Sequence, residues 1–225
     1  MTDSYRGERT TVRRLPHRGV YDRPAIHRIL DEGLVCHVGF VENGQAFVIP
    51  TIYVRIGDCI CLHGSPASRM LQALAAGAEA CITVTLVDGL VLARSAFHHS
   101  INYRSVVLFG TAEIVEEPKR KNEILFALAE HLIRGRWADA RVPTDQELRR
   151  TLVLSIPIRE ASAKVRTGPP LDEEEDYALP VWAGVVPLRL TAGEPLPDAR
   201  LSAGIAVPPY AAQYAGPRGV DSEDR

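Results

Sequence analysis

The chain has 225 residues, 46% hydrophobic and 24% charged, with a formal net charge of −2. That is chain enough for one domain with extensions, and the lack of a basic excess argues against nucleic acid as a partner. The first twenty residues are polar and no apolar run approaches the roughly 20 residues of a spanning helix, so a cytoplasmic protein without a membrane partner is expected.

Residues 1–20 read as a charged, aperiodic arm, ordered only where it meets a partner. A domain follows over 21–190. Asp22 caps a short helix with Pro24 in its first turn, an inner face of Ile26, Ile29 and Leu30, and a stop at Gly33. Strands are expected over 34–41 and 45–55, joined at Asn43-Gly44, and over 59–63 after a turn at Gly57-Asp58. Residues 66–76 read as a helix facing inward through Leu71 and Leu74. Strand 79–87 then meets strand 90–97 through a hairpin at Asp88-Gly89, and the longest strand is 104–115. An amphipathic helix over 119–133 turns Ile124, Leu125, Leu128 and Leu132 to one side, and a strand runs from Thr151 to Ile156. Residues 191–225, rich in Pro, Ala and Gly, read as a mobile or partner-wrapping tail. Six or seven strands linked mostly by hairpins, with two or three helices, point to a mainly β fold built as a small antiparallel barrel.

Two segments could carry chemistry. Leu62-His63-Gly64-Ser65-Pro66-Ala67-Ser68-Arg69 ends a strand, turns through small residues and enters a helix. Exposed amides, two hydroxyls and a guanidinium there suit a phosphate, although turn geometry alone also explains the Gly and Ser. Phe97-His98-His99-Ser100, followed by Asn102-Tyr103-Arg104-Ser105, crowds polar groups at the entrance of an apolar strand, as a site edge or a surface loop would. Cys59, Cys61 and His63 share one strand face, with donors that zinc accepts. The buried pattern around them, and that of Cys36 and Cys81, reads instead as packed core with reduced thiols, and no metal is expected. The acidic run Asp172 to Asp176 reads as a solvated loop.

The order strand, His63-Gly64-Ser65-x-x-Ser68-Arg69, helix, strand, Arg104-Ser105-Val106-Val107-x-x-Gly110 resembles the pyridoxamine-phosphate-oxidase-like family, in particular its nitroimidazole-resistance and flavin-nucleotide-binding branch. The resemblance covers residues 12–190 or so and is most specific over Gly89 to Gly110. It implies a six-stranded antiparallel split β-barrel with flanking helices, a homodimer, and FMN held between subunits. By position, Ser68 and Arg69 match the phosphate-holding Ser-Arg, with Gly64 and Ser65 in the same turn. Arg55 falls near a basic flavin contact, and Ser105 takes the place of a flavin-binding Gln. The backbone of Pro50, Thr51 and Tyr53 would lie along the flavin ring, and Trp182 is similar to a C-terminal Trp of the pocket. His63 matches a histidine implicated in chemistry or haem contact. Met70 in place of a Lys, and Pro50 in place of an Arg, argue against true pyridoxamine-phosphate oxidation.

The first expectation is therefore an FMN-dependent oxidoreductase acting on a small organic acceptor, a nitro compound being one candidate. Arg55, Ser68 and Arg69 would bind phosphate, Arg104 and Ser105 the ring or ribityl, and His63 or His99 would face the substrate. Two alternatives stay open: a non-catalytic haem- or flavin-binding module using His63, His98 or His99 as axial ligand, and a deazaflavin-dependent reductase.

Overall fold

Eleven strands in two antiparallel sheets carry the fold among residues 4–216, which a computed structural model of the chain describes. In chain order, β1 (Gly19–Val20) and α1 (Arg23–Glu32) precede the hairpin β2 (Val35–Glu42) and β3 (Gln45–Ile52) and the short pair β4 (Val54–Ile56) and β5 (Cys59–Gly64). Next come α2 (Arg69–Ala75), the long β6 (Glu79–Leu92) and β7 (Ser100–Thr111), β8 (Glu113–Ile114), and the helices α3 (Pro118–Leu132), α4 (Arg136–Asp139) and α5 (Asp145–Arg149). The chain closes with β9 (Leu152–Pro157), β10 (Glu160–Arg166), β11 (Gly184–Pro187) and α6 (Pro209–Ala212).

The larger sheet runs β1-β10-β7-β6-β2-β3, with β11 also paired to β6, and the smaller runs β4-β5-β9-β8. Period-2 alternation turns Val38, Ile82, Val106, Leu108 and Ala161 of the first toward Ile60, Leu62, Leu154 and Ile156 of the second. Ile26, Ile29 and Leu30 of α1, and Leu71 and Leu74 of α2, close this core. A second cluster sets Val54, Cys61 and Val153, on the outer face of the small sheet, against Ile124 and Leu128 of α3. This is the mainly β, antiparallel split barrel with flanking helices that the sequence predicts.

Several local expectations are corrected. Asp88-Gly89 is no hairpin: β6 continues through it with a bulge between Val87 and Gly89, and the connection to β7 comes at residues 93–99. Asp88 is engaged by Arg104, and Gly89 has no side chain because β11 lies on it; a Cβ there would meet Val185 Cγ1 and the Val186 carbonyl, both at 3.0 Å. The strand read over 90–97 is therefore the end of β6. The run read as 104–115 starts at Ser100 and yields β7 and β8, and the run read as 45–55 divides into β3 and β4. Strand β10, β11 and the small helices were not legible. The helix over 66–76 starts only at Arg69, because Ser68 is its cap. The arm is ordered against its own chain, with Tyr5 buried in the core and β1 paired to β10. In the tail, the Tyr210 hydroxyl accepts from Arg136 Nη1 at 3.0 Å, while 217–225 lie outside the described residues.

Candidate functional site

At the β5–α2 junction, Ser65 Oγ accepts the Ala67 amide at 3.2 Å and Ser68 Oγ accepts the Leu71 amide at 3.5 Å. The turn is thus held from within, Gln72 Nε2 adding a 2.8 Å bond to the Pro66 carbonyl. With only seven residues, α2 offers a weak dipole. The cation that remains is Arg69, 62% exposed, resting 5.0 Å over the Phe47 ring and only 3.9 Å from Glu42. It is free to turn toward an anion.

His63 ends β5 in register with Val153, on the same outer face of the small sheet as Cys61. Its Nδ1 is shut away from solvent with no hydrogen-bond partner, which leaves Nε2 as the nitrogen able to meet a ligand. Burial lowers the imidazole pKa, so the ring is neutral at pH 7.

Other implied site residues are committed elsewhere. Arg55 grips Asp31 side-on, Nε to Oδ1 at 2.8 Å and Nη2 to Oδ2 at 2.6 Å. Arg104 is held by Glu32 and Asp88, and both carboxylates push its pKa up. Tyr53 is fully buried and donates to the Leu30 carbonyl at 2.6 Å, so only its backbone could face a ligand. Pro50 is exposed and Thr51 half-buried on the outer sheet strand β3.

Ser105 behaves differently. Val106 and Leu108 of β7 face the core, so Ser105 faces away, on the outer side of the large sheet. There its Oγ lies 3.0 Å from Thr85 Oγ1, its direct neighbour on β6, and Lys164 of β10 flanks it on the other side. Thr85 and Lys164 were not singled out from sequence, although the period-2 pattern of β6 would have put Thr83 and Thr85 opposite Ile82 and Val84.

The histidine loop hangs on the C-terminal segment. Asp172, expected in a solvated loop, has its side chain wholly shielded and accepts the amides of Arg94 and Ser95 at 2.9 and 3.1 Å. Arg94 lies 4.8 Å from the Tyr177 ring centroid, and His98 Nε2 is 3.6 Å from Glu173. His99 is exposed, its Nδ1 3.0 Å from the Ser95 carbonyl. Trp182 is 66% exposed just before β11.

Residues 22–165 match the family model described as pyridoxamine 5'-phosphate oxidase. Among solved structures, the flavocytochrome Anf3 from Azotobacter vinelandii is 43% identical, with a TM-score of 0.86 over 92% of this chain and 96% of that one. A protein from Mycobacterium smegmatis described as FAD and heme binding is 39% identical, with a TM-score of 0.84 over 89% and 98%. A putative 5-nitroimidazole antibiotic resistance protein from Bacteroides thetaiotaomicron shares the fold at 24% identity and a TM-score of 0.54, over 65% and 86%. A comparison with curated proteins gives no significant match. The chain belongs to the pyridoxamine 5'-phosphate oxidase family, in its flavin-binding split-barrel form.

Proposed function

We propose that this chain is an oxidoreductase of the flavocytochrome kind, a homodimer holding a flavin and a haem and delivering electrons to a small organic acceptor. The observation that carries the reading is His63: a desolvated, neutral imidazole whose one buried nitrogen has no partner. Haem iron takes a neutral imidazole, and His63 offers Nε2 for it, so the residue present fits the group. The two relatives near 40% identity, described as a flavocytochrome and as an FAD and heme binding protein, support the same pairing, and favour FAD over the FMN of the family resemblance. When bound, the flavin supplies hydride chemistry and the haem one-electron chemistry. The chain's own part is to bind and orient: Arg69 offers charge to the flavin phosphates, and Ser105 and Thr85 offer hydroxyls to the ring.

The faces of these groups support a shared site. Of the groups assigned to the flavin, Ser105 looks outward from the large sheet, while Arg69 rests over Phe47, which packs against the core on the other face of that sheet. A second copy is the simplest way to bring both to one flavin. Apolar side chains also stand exposed on β2 and β3 (Val41, Val48), in the histidine loop (Phe97) and near β11 (Leu179, Val181, Trp182). A two-fold pair burying at least roughly 2,000 Å² would cover them.

The absorption spectrum of the purified protein tests the reading. Flavin bands together with a Soret band are expected, with FAD released on denaturation and a dimer in light scattering. His63→Ala should lose the Soret band and keep the flavin. Flavin without haem, even after haem is supplied, would overturn the flavocytochrome reading, and a deazaflavin spectrum would replace it.

A further inference from the structure

We propose that Lys164 is a flavin contact that helps set the reduction potential of the ring, a role that rests on the flavin reading above. Ala161 and Ala163 face the core and Val165 packs against it, so Lys164 points to the opposite, outer side of the large sheet. The register places it beside Ser105, and Ser105 beside Thr85, giving one row of ammonium, hydroxyl and hydroxyl across three adjacent strands. The next row on this face is Ser162, Val107, Thr83, His37 and Pro50, and beyond it come Glu160, Phe109, Cys81, Gly39 and Val48. The short side chains of Ser162, Val107 and Thr83 beside the ammonium-hydroxyl row suit a flat heteroaromatic ring with carbonyls along one edge.

Lys164 is half-buried and has no ion pair or hydrogen bond among the described residues. The other cation on this face of β10, Arg166, is buried and taken up by Asn102 and by the carbonyls of Gly168 and Pro169. Lys164 is therefore the cation on this strand left for a ligand. Two neutral hydroxyls next to a single ammonium match a ring edge that gains negative charge on reduction better than they match a phosphate dianion. A fixed cation there stabilises the reduced ring relative to the oxidised one, and more strongly once a second subunit excludes water.

Reduction potentials of the flavin-loaded wild type, Lys164→Met and Lys164→Arg test this. Met keeps the length and packing of the stem and removes the charge. The expected result is a loss of about tenfold in the preference for the reduced ring in Lys164→Met, which is about 30 mV more negative for a two-electron couple. Lys164→Arg should recover most of it. An unmoved potential in flavin-loaded Lys164→Met overturns the inference, and doubly so if the dimer is lost instead, which would make Lys164 a subunit contact. A wild type that takes up no flavin overturns the flavin reading itself.

Discussion

Arg104 Nη2 donates to Asp88 Oδ1 at 2.7 Å, and the bond fastens β7 to the bulge of β6. The same nitrogen reaches Glu32 Oε1 at 2.8 Å, so the guanidinium also anchors the end of α1. Removing it leaves two half-buried carboxylates facing each other. Arg104→Met should cost about 2 kcal/mol, reduced from the buried-pair range because the groups are partly solvated. For a chain of this length that is roughly 4–8 °C in Tm. Loss of flavin without loss of Tm would return Arg104 to the cofactor role implied by the family.

Arg69 stands in the opposite situation, exposed and held by a long contact to Glu42 and by the Phe47 ring beneath it. Arg69→Ala should leave Tm nearly unchanged and weaken flavin binding by about 1.5–3 kcal/mol, roughly ten- to a hundredfold. A flavin titration checks both halves, and unchanged affinity would remove Arg69 from the site.

Gly89 is where β11 crosses close to β6. Gly89→Ala has to displace the Val185 side chain and the Val186 carbonyl, an overpacking cost of about 1–3 kcal/mol. Since β11 pairs, among the described residues, only with β6, the damage should be local. Limited proteolysis should cut faster within 167–190 while the barrel stays intact.

Two histidines make the fold acid-sensitive. Burial lowers the pKa of His63, and burial aided by Arg55 and Arg23 lowers that of His27 despite the opposing charge of Asp31. In the unfolded chain both take up a proton near pH 6.5, whereas the folded chain resists until lower pH. The unfolded state then binds more protons, so stability should fall as pH drops below about 6.5 and level off below the folded pKa values. Denaturant midpoints between pH 7 and 5 measure this, and His63→Gln should flatten the slope.

What the sequence made legible was what neighbouring residues decide. The Asp22 cap and inner face of α1, the inward Leu71 and Leu74 of α2 and the apolar side of α3 all follow from local spacing. Asp88-Gly89 misled because its two residues serve distant partners, Arg104 and β11, and a dipeptide carries no trace of either. Strand β10 hid because Ala161 and Ala163, small residues of low strand propensity, are what its crowded inner face accepts. The candidate site was legible as residue types and not as commitments. Arg55 and Arg69 look alike along the chain, but Asp31, 24 residues before Arg55, occupies one guanidinium and leaves the other open.

The Asp172 carboxylate that fixes the amides of Arg94 and Ser95 lies 78 residues after Arg94. Strand β10 ends at Arg166, so the carboxylate lies beyond the strands of the main sheet path in the chain. The loop carrying His98 and His99 is thus anchored from outside that path, by a C-terminal segment that returns to clasp it.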